Sequence, residues 1–367
     1  MALSARKAKA LVVYSRVGGG HLSAARALAA ELEATERCTA RIVDIYVDCG
    51  RGPVTRFPAI YAELARNHPH LWWLIYRSAS RRINPSWIVG RFVRPGLHQL
   101  VMRERPDLLV SALPAINGLV AEAAATVAAR VEVVLTDWHS VHPYWTAPGV
   151  DHYTTPTQSA RDDCIRYGAR PEAIDVVGIP VRREFAAPAE QPRPAGRFTV
   201  LAMMGAEGSP RALRNLAALA ESDLDVELVV VCGRSEDLRQ HIMRLRARVP
   251  MRVLGFVEDV ASLMRSCDML VTKAGGVTLA EAFCCGLPVV IHDVLPGQEA
   301  GNLEYVLAQG AVAFAPTPAA LVRSVEALMA DAGRRKALAE CGRRLARPHA
   351  ARQIAASVLR RLDAARA

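Results

Sequence analysis

The 367-residue chain has eight cysteines but no CxxC pair, and most of the eight fall within apolar segments. That distribution excludes a zinc ribbon and a disulfide framework, and it suits a reducing compartment. There is also no unbroken apolar run of the roughly 20 residues that a membrane span needs. The most apolar stretch, LLVSALPAINGLVAEAAATVAA, is interrupted by Pro114, Asn117, Gly118 and Glu122. The basic N-terminus, MALSARKAKALVVYSRVGGG, has too short a hydrophobic run for a signal peptide and reads as a first strand entering glycines. A soluble chain, or one that lies on a membrane without crossing it, is expected. Internal repeats are missing, and so is a GxGxxG phosphate fingerprint, because Ala24 stands where the spacing from Gly19 would want glycine.

What the chain does have is positive charge. Its 46 Lys and Arg against 36 Asp and Glu give +10, which favours anionic partners: nucleic acid, acidic lipid or nucleotide phosphates. Charge alone does not choose among them, and an alanine- and arginine-rich composition explains it equally well. Residues that are 51% hydrophobic supply enough material for two cores. Apolar β-rich runs (ALVVY, ARIVDI, DLLVS, VEVVLT, IDVVG, FTVLAMM, VELVVVC, MRVLGF, DMLVT, PVVIH) alternate with amphipathic alanine-rich runs such as LSAARALAAELEA. Such alternation implies an α/β protein built on parallel sheets covered by crossover helices. The proline-rich stretch 184–197 reads as a linker between a domain at 1–183 and one at 198–348. A closing helix at 349–367 is expected to return to the first domain. Ligands of open parallel sheets bind at the carboxyl ends of the strands, so the loops there should carry the chemistry.

Three loops do. In SRVGGGHLSAA, Gly19 and Gly20 allow close backbone approach, and His21 opens a helix whose dipole disfavours a charged imidazole. A neutral histidine there suits a general base, although a turn with a capping residue remains an alternative. TDWHSVHPYW gathers Asp137, His142 and Trp145. It offers one carboxylate and no helical frame, so a metal site is not expected; Asp137 is expected to orient or support His21. In the second half, VTKAGGVTLAEA runs a strand into Gly275 and Gly276, where free helix N–H groups and Thr278 suit a diphosphate. Glu281, a turn further on, suits ribose hydroxyls, and GLPVVIHDVLPGQEAGN brings Gln298, Glu299 and Asn302 to the same edge. Gly205, in MMGAEGSPR, lies at that edge too. The tempting Asp223-Leu224-Asp225 triplet precedes its strand and so belongs to the opposite edge.

Aromatic residues make up only 5% of the chain, yet seven of them stand in residues 56–95 beside seven arginines and a single acid, Glu63. Trp72, Trp73, Arg81, Arg82 and Trp87 are the candidates for an anionic membrane surface. Core helices with basic outer faces are the alternative.

Taken in order, GGGHLSAA, TDWHSVHPYW, KAGGVTLAEA and GLPVVIHDVLPGQEAGN resemble the monogalactosyldiacylglycerol synthase and processive diacylglycerol glucosyltransferase family, and more distantly the N-acetylglucosaminyltransferase of the peptidoglycan lipid precursor. The resemblance implies a GT-B fold, two Rossmann-like domains facing a cleft, and inverting, metal-independent transfer from a UDP-sugar to a lipid hydroxyl, most readily diacylglycerol, at the cytosolic membrane face. No cofactor beyond the donor and no nucleic-acid partner are implied. It makes His21 the base, with Asp137 and His142 near the acceptor. Glu281 would take the ribose of UDP, Gly275, Gly276 and Thr278 the diphosphate, and Gln298 and Glu299 the sugar. Leu22 and Gly276 depart from the family, which often has a basic residue and a proline there. Transfer to a soluble natural product and UDP-sugar 2-epimerisation on the same fold are the alternatives.

Overall fold

Strands with both faces covered need apolar residues at every position, and the first strand shows why its run reads as continuous. Leu11 and Val13 pack into one core, while Ala10, Val12 and Tyr14 pack into another on the opposite face. The computed structural model describes residues 6–17, 19–79, 86–187, 196–205 and 208–365. They form two units: one of residues 1–61, 74–182 and 347–367, the other of residues 62–73 and 183–346. Residues 62–73 thus depart from a contiguous first domain.

The first unit holds β1 (Ala8–Tyr14), β2 (Cys38–Asp44), β3 (Leu108–Ser111), β4 (Arg130–Val134), β5 (His152–Thr155) and β6 (Ile174–Val176). All pair in parallel in the order β2-β1-β3-β4-β5-β6. Strand order reverses between β1 and β3, which makes the carboxyl ends of those two strands the expected ligand crevice. Helix α1 (Gly19–Glu33) follows β1 and buries Ala25, Leu28, Ala29 and Leu32 in the core that also takes Ile354, Ala355, Val358 and Leu359 of the last helix, Ala350–Ala364. Alanine on both partners permits a close approach of the helices.

The second unit holds β7 (Phe198–Met203), β8 (Val226–Val231), β9 (Met251–Leu254), β10 (Met269–Lys273), β11 (Val289–Asp293) and β12 (Val312–Phe314), parallel in the order β12-β11-β10-β7-β8-β9. Here the switch lies between β7 and β10. Two strands were invisible in the sequence pattern: β5, whose HYTT is polar, and β12, only three residues long. The polar strand is buried because its groups are paired, Thr154 donating to Glu132 Oε1 at 2.8 Å. Asp223 and Asp225 precede β8, where they pair with Arg248 and Arg197 at 2.8 and 2.7 Å, far exposed at 86% and 82%.

Candidate active site

The first unit brings His21 to its switch point. β1 ends at Tyr14 and α1 begins at Gly19, which puts His21 in its first turn. Gly19 has nothing within 4 Å of a Cβ built on it and no positive φ, so neither packing nor backbone strain requires glycine there. His21 Nδ1 donates to the carbonyl of Ala112, just past β3, at 2.8 Å, with Thr136 Oγ1 3.5 Å from the same nitrogen. Since a carbonyl only accepts, Nδ1 carries the proton and Nε2 keeps its lone pair. Burial pushes His21 down to about 4, partly offset by the Ala112 carbonyl, so the ring is neutral at pH 7.

Asp137 does not take the orienting place expected of it. Its Oδ2 accepts the indole N–H of Trp145 at 2.8 Å, and the Trp145 ring lies 6.5 Å from His21, centroid to centroid. A neutral main-chain carbonyl orients His21 instead, which leaves its pKa low because no adjoining carboxylate stabilises the cation. Trp145 is fully buried, so it backs the site rather than presenting a face to an acceptor. His142 is likewise committed to structure: its Nδ1 accepts the N–H of Tyr144 at 3.1 Å and its Nε2 donates to the Tyr76 carbonyl at 3.3 Å. Burial lowers its pKa too. Asn117 holds the carbonyl of Trp145 at 2.9 Å, so the loops after β3 and β4 are stitched together. Beside them, His139, Ser140, Ser159, Asp162, Asp163, Arg166 and Tyr167 line a polar depression of about 480 Å³ that does not include His21.

The second unit gathers its residues at its own switch point. Gly205 follows β7 with φ +77°, a left-handed conformation that glycine adopts without strain. Ser209 caps the helix Pro210–Ala220, accepting from Ala212 N at 3.0 Å while its hydroxyl donates to Asp293 Oδ2 at 2.7 Å. Helix α2 (Gly276–Cys284) opens at Gly275, which has no side chain to cap the first turn. Backbone N–H groups of Val277 and Thr278 precede the first i−4 bond, from Leu279 N to Gly275 O. Thr278 is half-buried in that turn, and Glu281, one turn on, is 6% exposed.

Across the edge stands helix α3 (Ala300–Ala308). Asn302 is buried and donates to the Ala274 carbonyl at 3.1 Å, so it fixes the loop rather than reaching out as a ligand contact. Glu299 is also buried: its Oε2 accepts from Leu295 N at 3.0 Å and its Oε1 pairs with Lys273 Nζ at 3.2 Å. Gln298, between these loops, is half-buried. Lys273, Ser209, Asp293 and Arg211 went unnoticed in the sequence. Only Lys273 had a signal, its place directly before the AGG of the glycine turn.

The basic aromatic segment forms the helices Phe57–Asn67 and Pro69–Ala79. Trp72 and Trp73 are half-buried, and the apolar residues exposed there are Leu71, Leu74 and Ile75 on one face, with Ile60 on the preceding helix. Arg81, Arg82 and the Trp87 side chain lie outside the described residues. Among the described residues no helix is long and apolar enough to cross a membrane.

Comparison with known proteins agrees with this geometry. Residues 21–181 match the family described as monogalactosyldiacylglycerol (MGDG) synthase, and residues 200–345 match glycosyl transferases group 1. A probable chloroplastic monogalactosyldiacylglycerol synthase of Glycine max is 29% identical over 86% of this chain, which spans 64% of that relative's length. Among solved structures, Acinetobacter baumannii MurG superposes with a TM-score of 0.63 at 15% identity, over 97% of this chain and all of MurG (100%). Anabaena HepE in complex with UDP-glucose gives 0.59 at 17% identity, over 96% of this chain and 99% of HepE. The chain therefore has the GT-B fold, with a first domain similar to the monogalactosyldiacylglycerol synthases and a second similar to the group 1 glycosyl transferases.

Proposed function

We propose that this protein is a glycosyltransferase that moves a hexose from a UDP-sugar to the hydroxyl of a lipid, diacylglycerol in the first instance. The observation that carries the reading is His21: neutral, oriented through Nδ1, and with Nε2 left as a base at the switch point of the domain that matches the synthase family. Nε2 removes the acceptor proton as the oxygen attacks the anomeric carbon from the face opposite UDP, so the configuration inverts. UDP leaves against the first turn of α2, whose N–H groups and positive dipole end stabilise the growing phosphate charge without a metal ion. Glu281 accepts hydrogen bonds from the ribose hydroxyls, and Gln298 contacts the sugar.

The exposed face of Leu71, Leu74 and Ile75, with Arg77 exposed beside them, supports work on a membrane surface, with the apolar side chains at headgroup depth. The cytosolic leaflet is the side where UDP-sugars and this charge are both favoured. Both matched families are transferases or synthases, which weighs against epimerisation.

The test is UDP release by the purified protein with a panel of UDP-sugars, with and without diacylglycerol in anionic vesicles. Release that requires the lipid and one sugar supports the reading. Release only with a soluble acceptor, or conversion of the UDP-sugar without release, would replace it.

A further inference from the structure

The register between β10 and β11 slips at the edge of the second sheet. Thr272 faces Ile291, but Lys273 faces Asp293, so His292 is an extra residue on β11. A bulge of this kind bends the strand and re-aims the side chains that follow it. The Lys273 ammonium ends 3.2 Å from Glu299 Oε1. A Cβ built on Gly275 would lie 3.9 Å from that same oxygen, so the ion pair stands at the mouth of α2. Glu299 cannot swing freely, since its other oxygen takes the Leu295 N–H and its side chain is only 8% exposed.

Two cations, Lys273 and Arg211, therefore stand at this edge with two carboxylates, Asp293 and Glu299; Arg211 lies 3.5 Å from Asp293. Burial is the main reason that His292 is pushed down to about 4, and the charges of Lys273 and Arg211 add to it against Asp293. An ammonium has three donors, so Lys273 can keep Glu299 and take a phosphate oxygen as well. With its side chain 25% exposed, its charge is screened less than one in open water.

We propose that Lys273 is the cation that meets the diphosphate of the donor, set beside the glycine N-terminus of α2 by its place two residues before Gly275 and held there by Glu299, which acts as its positioning residue. This rests on the UDP-sugar reading above. It also removes Glu299 from the sugar contacts expected from the sequence.

Calorimetric titration of wild type, Lys273→Met and Lys273→Arg with UDP and with uridine separates the possibilities. Lys273→Met should weaken UDP binding by ~10- to 100-fold while leaving uridine binding unchanged, and Lys273→Arg should restore most of the loss. Unchanged UDP affinity in Lys273→Met overturns the proposal, and equal losses of UDP and uridine show that Lys273 only shapes the loop. Wild type that binds neither ligand removes the nucleotide reading itself, and this inference with it. Glu299→Gln should weaken UDP and UDP-hexose in parallel. Loss confined to UDP-hexose would return Glu299 to the sugar and overturn its positioning role.

Discussion

At the scale of single residues, His21 shows how an imidazole can be held neutral and oriented without a partner carboxylate. Its Nδ1 proton goes to a main-chain carbonyl, its half-buried surroundings disfavour the cation, and its Nε2 stays unprotonated well below pH 7. His21→Ala should reduce kcat by ~100- to 10,000-fold while UDP affinity stays within about twofold, because a base acts in the transition state. Parallel loss of UDP affinity would show that the residue maintains the turn. The acid limb of kcat/KM should lie near pH 4 rather than 6.5 if His21 is the base. The sequence marked His21 through the glycines before it. Asp137, Glu299 and Asn302 were equally conspicuous there, and each also holds a partner within the chain. A motif names polar groups near an edge, but their partners decide whether they point to a ligand or to the chain itself.

At the scale of elements, the pattern of apolar residues located the long strands and the alanine-rich helices, because burial on two faces leaves a continuous signal. It did not reveal which face of the helix Pro69–Ala79 is covered. Tryptophan suggested Trp72 and Trp73 as the lipid-facing residues, but these are half-buried while Leu71, Leu74 and Ile75 are exposed at 48%, 54% and 39%. On the proposed membrane role, replacing those three by serine should lower binding to anionic vesicles by ~10-fold or more with little change in thermal stability, since exposed side chains contribute little to the core. A lowered melting temperature with unchanged vesicle binding would place the stripe in a protein contact. The last helix makes the opposite case. Arg361 reaches Glu132 Oε2 at 2.7 Å and Asp175 Oδ2 at 3.0 Å, clamping the helix to β4 and β6. Glu132 is 3% exposed, so Arg361→Ala leaves a buried carboxylate short of its cation and should cost about 3 kcal/mol in urea unfolding. A cost below about 1 kcal/mol would mean that His152 or water replaces the guanidinium.

At the scale of the whole molecule, three histidines sit in surroundings whose desolvation lowers their pKa: His21 and His292 to about 4, and His142 in the same direction. In the unfolded chain a histidine binds its proton near 6.5. Between those values the unfolded state holds more protons, so stability is complete above about pH 6.5 and falls as the pH drops toward 4. Asp44, raised by burial, opposes this, but as one group against three. Urea midpoints measured at pH 7.5, 6, 5 and 4 should fall progressively, and a flat profile would show that the histidines are not held neutral. By itself the sequence determined the α/β class, the strand edges where chemistry belongs, the glycine turns and the base candidate, because periodicity, glycine and helix entry are local properties of the chain. Only the tertiary structure decided which carbonyl orients His21, which partners Asp137 and Glu299 take within the chain, and that Glu299 comes across the edge to pair with Lys273. Those outcomes depend on pairs of residues far apart in the chain, and a side chain's role at a sheet edge is fixed by its neighbours across the sheet.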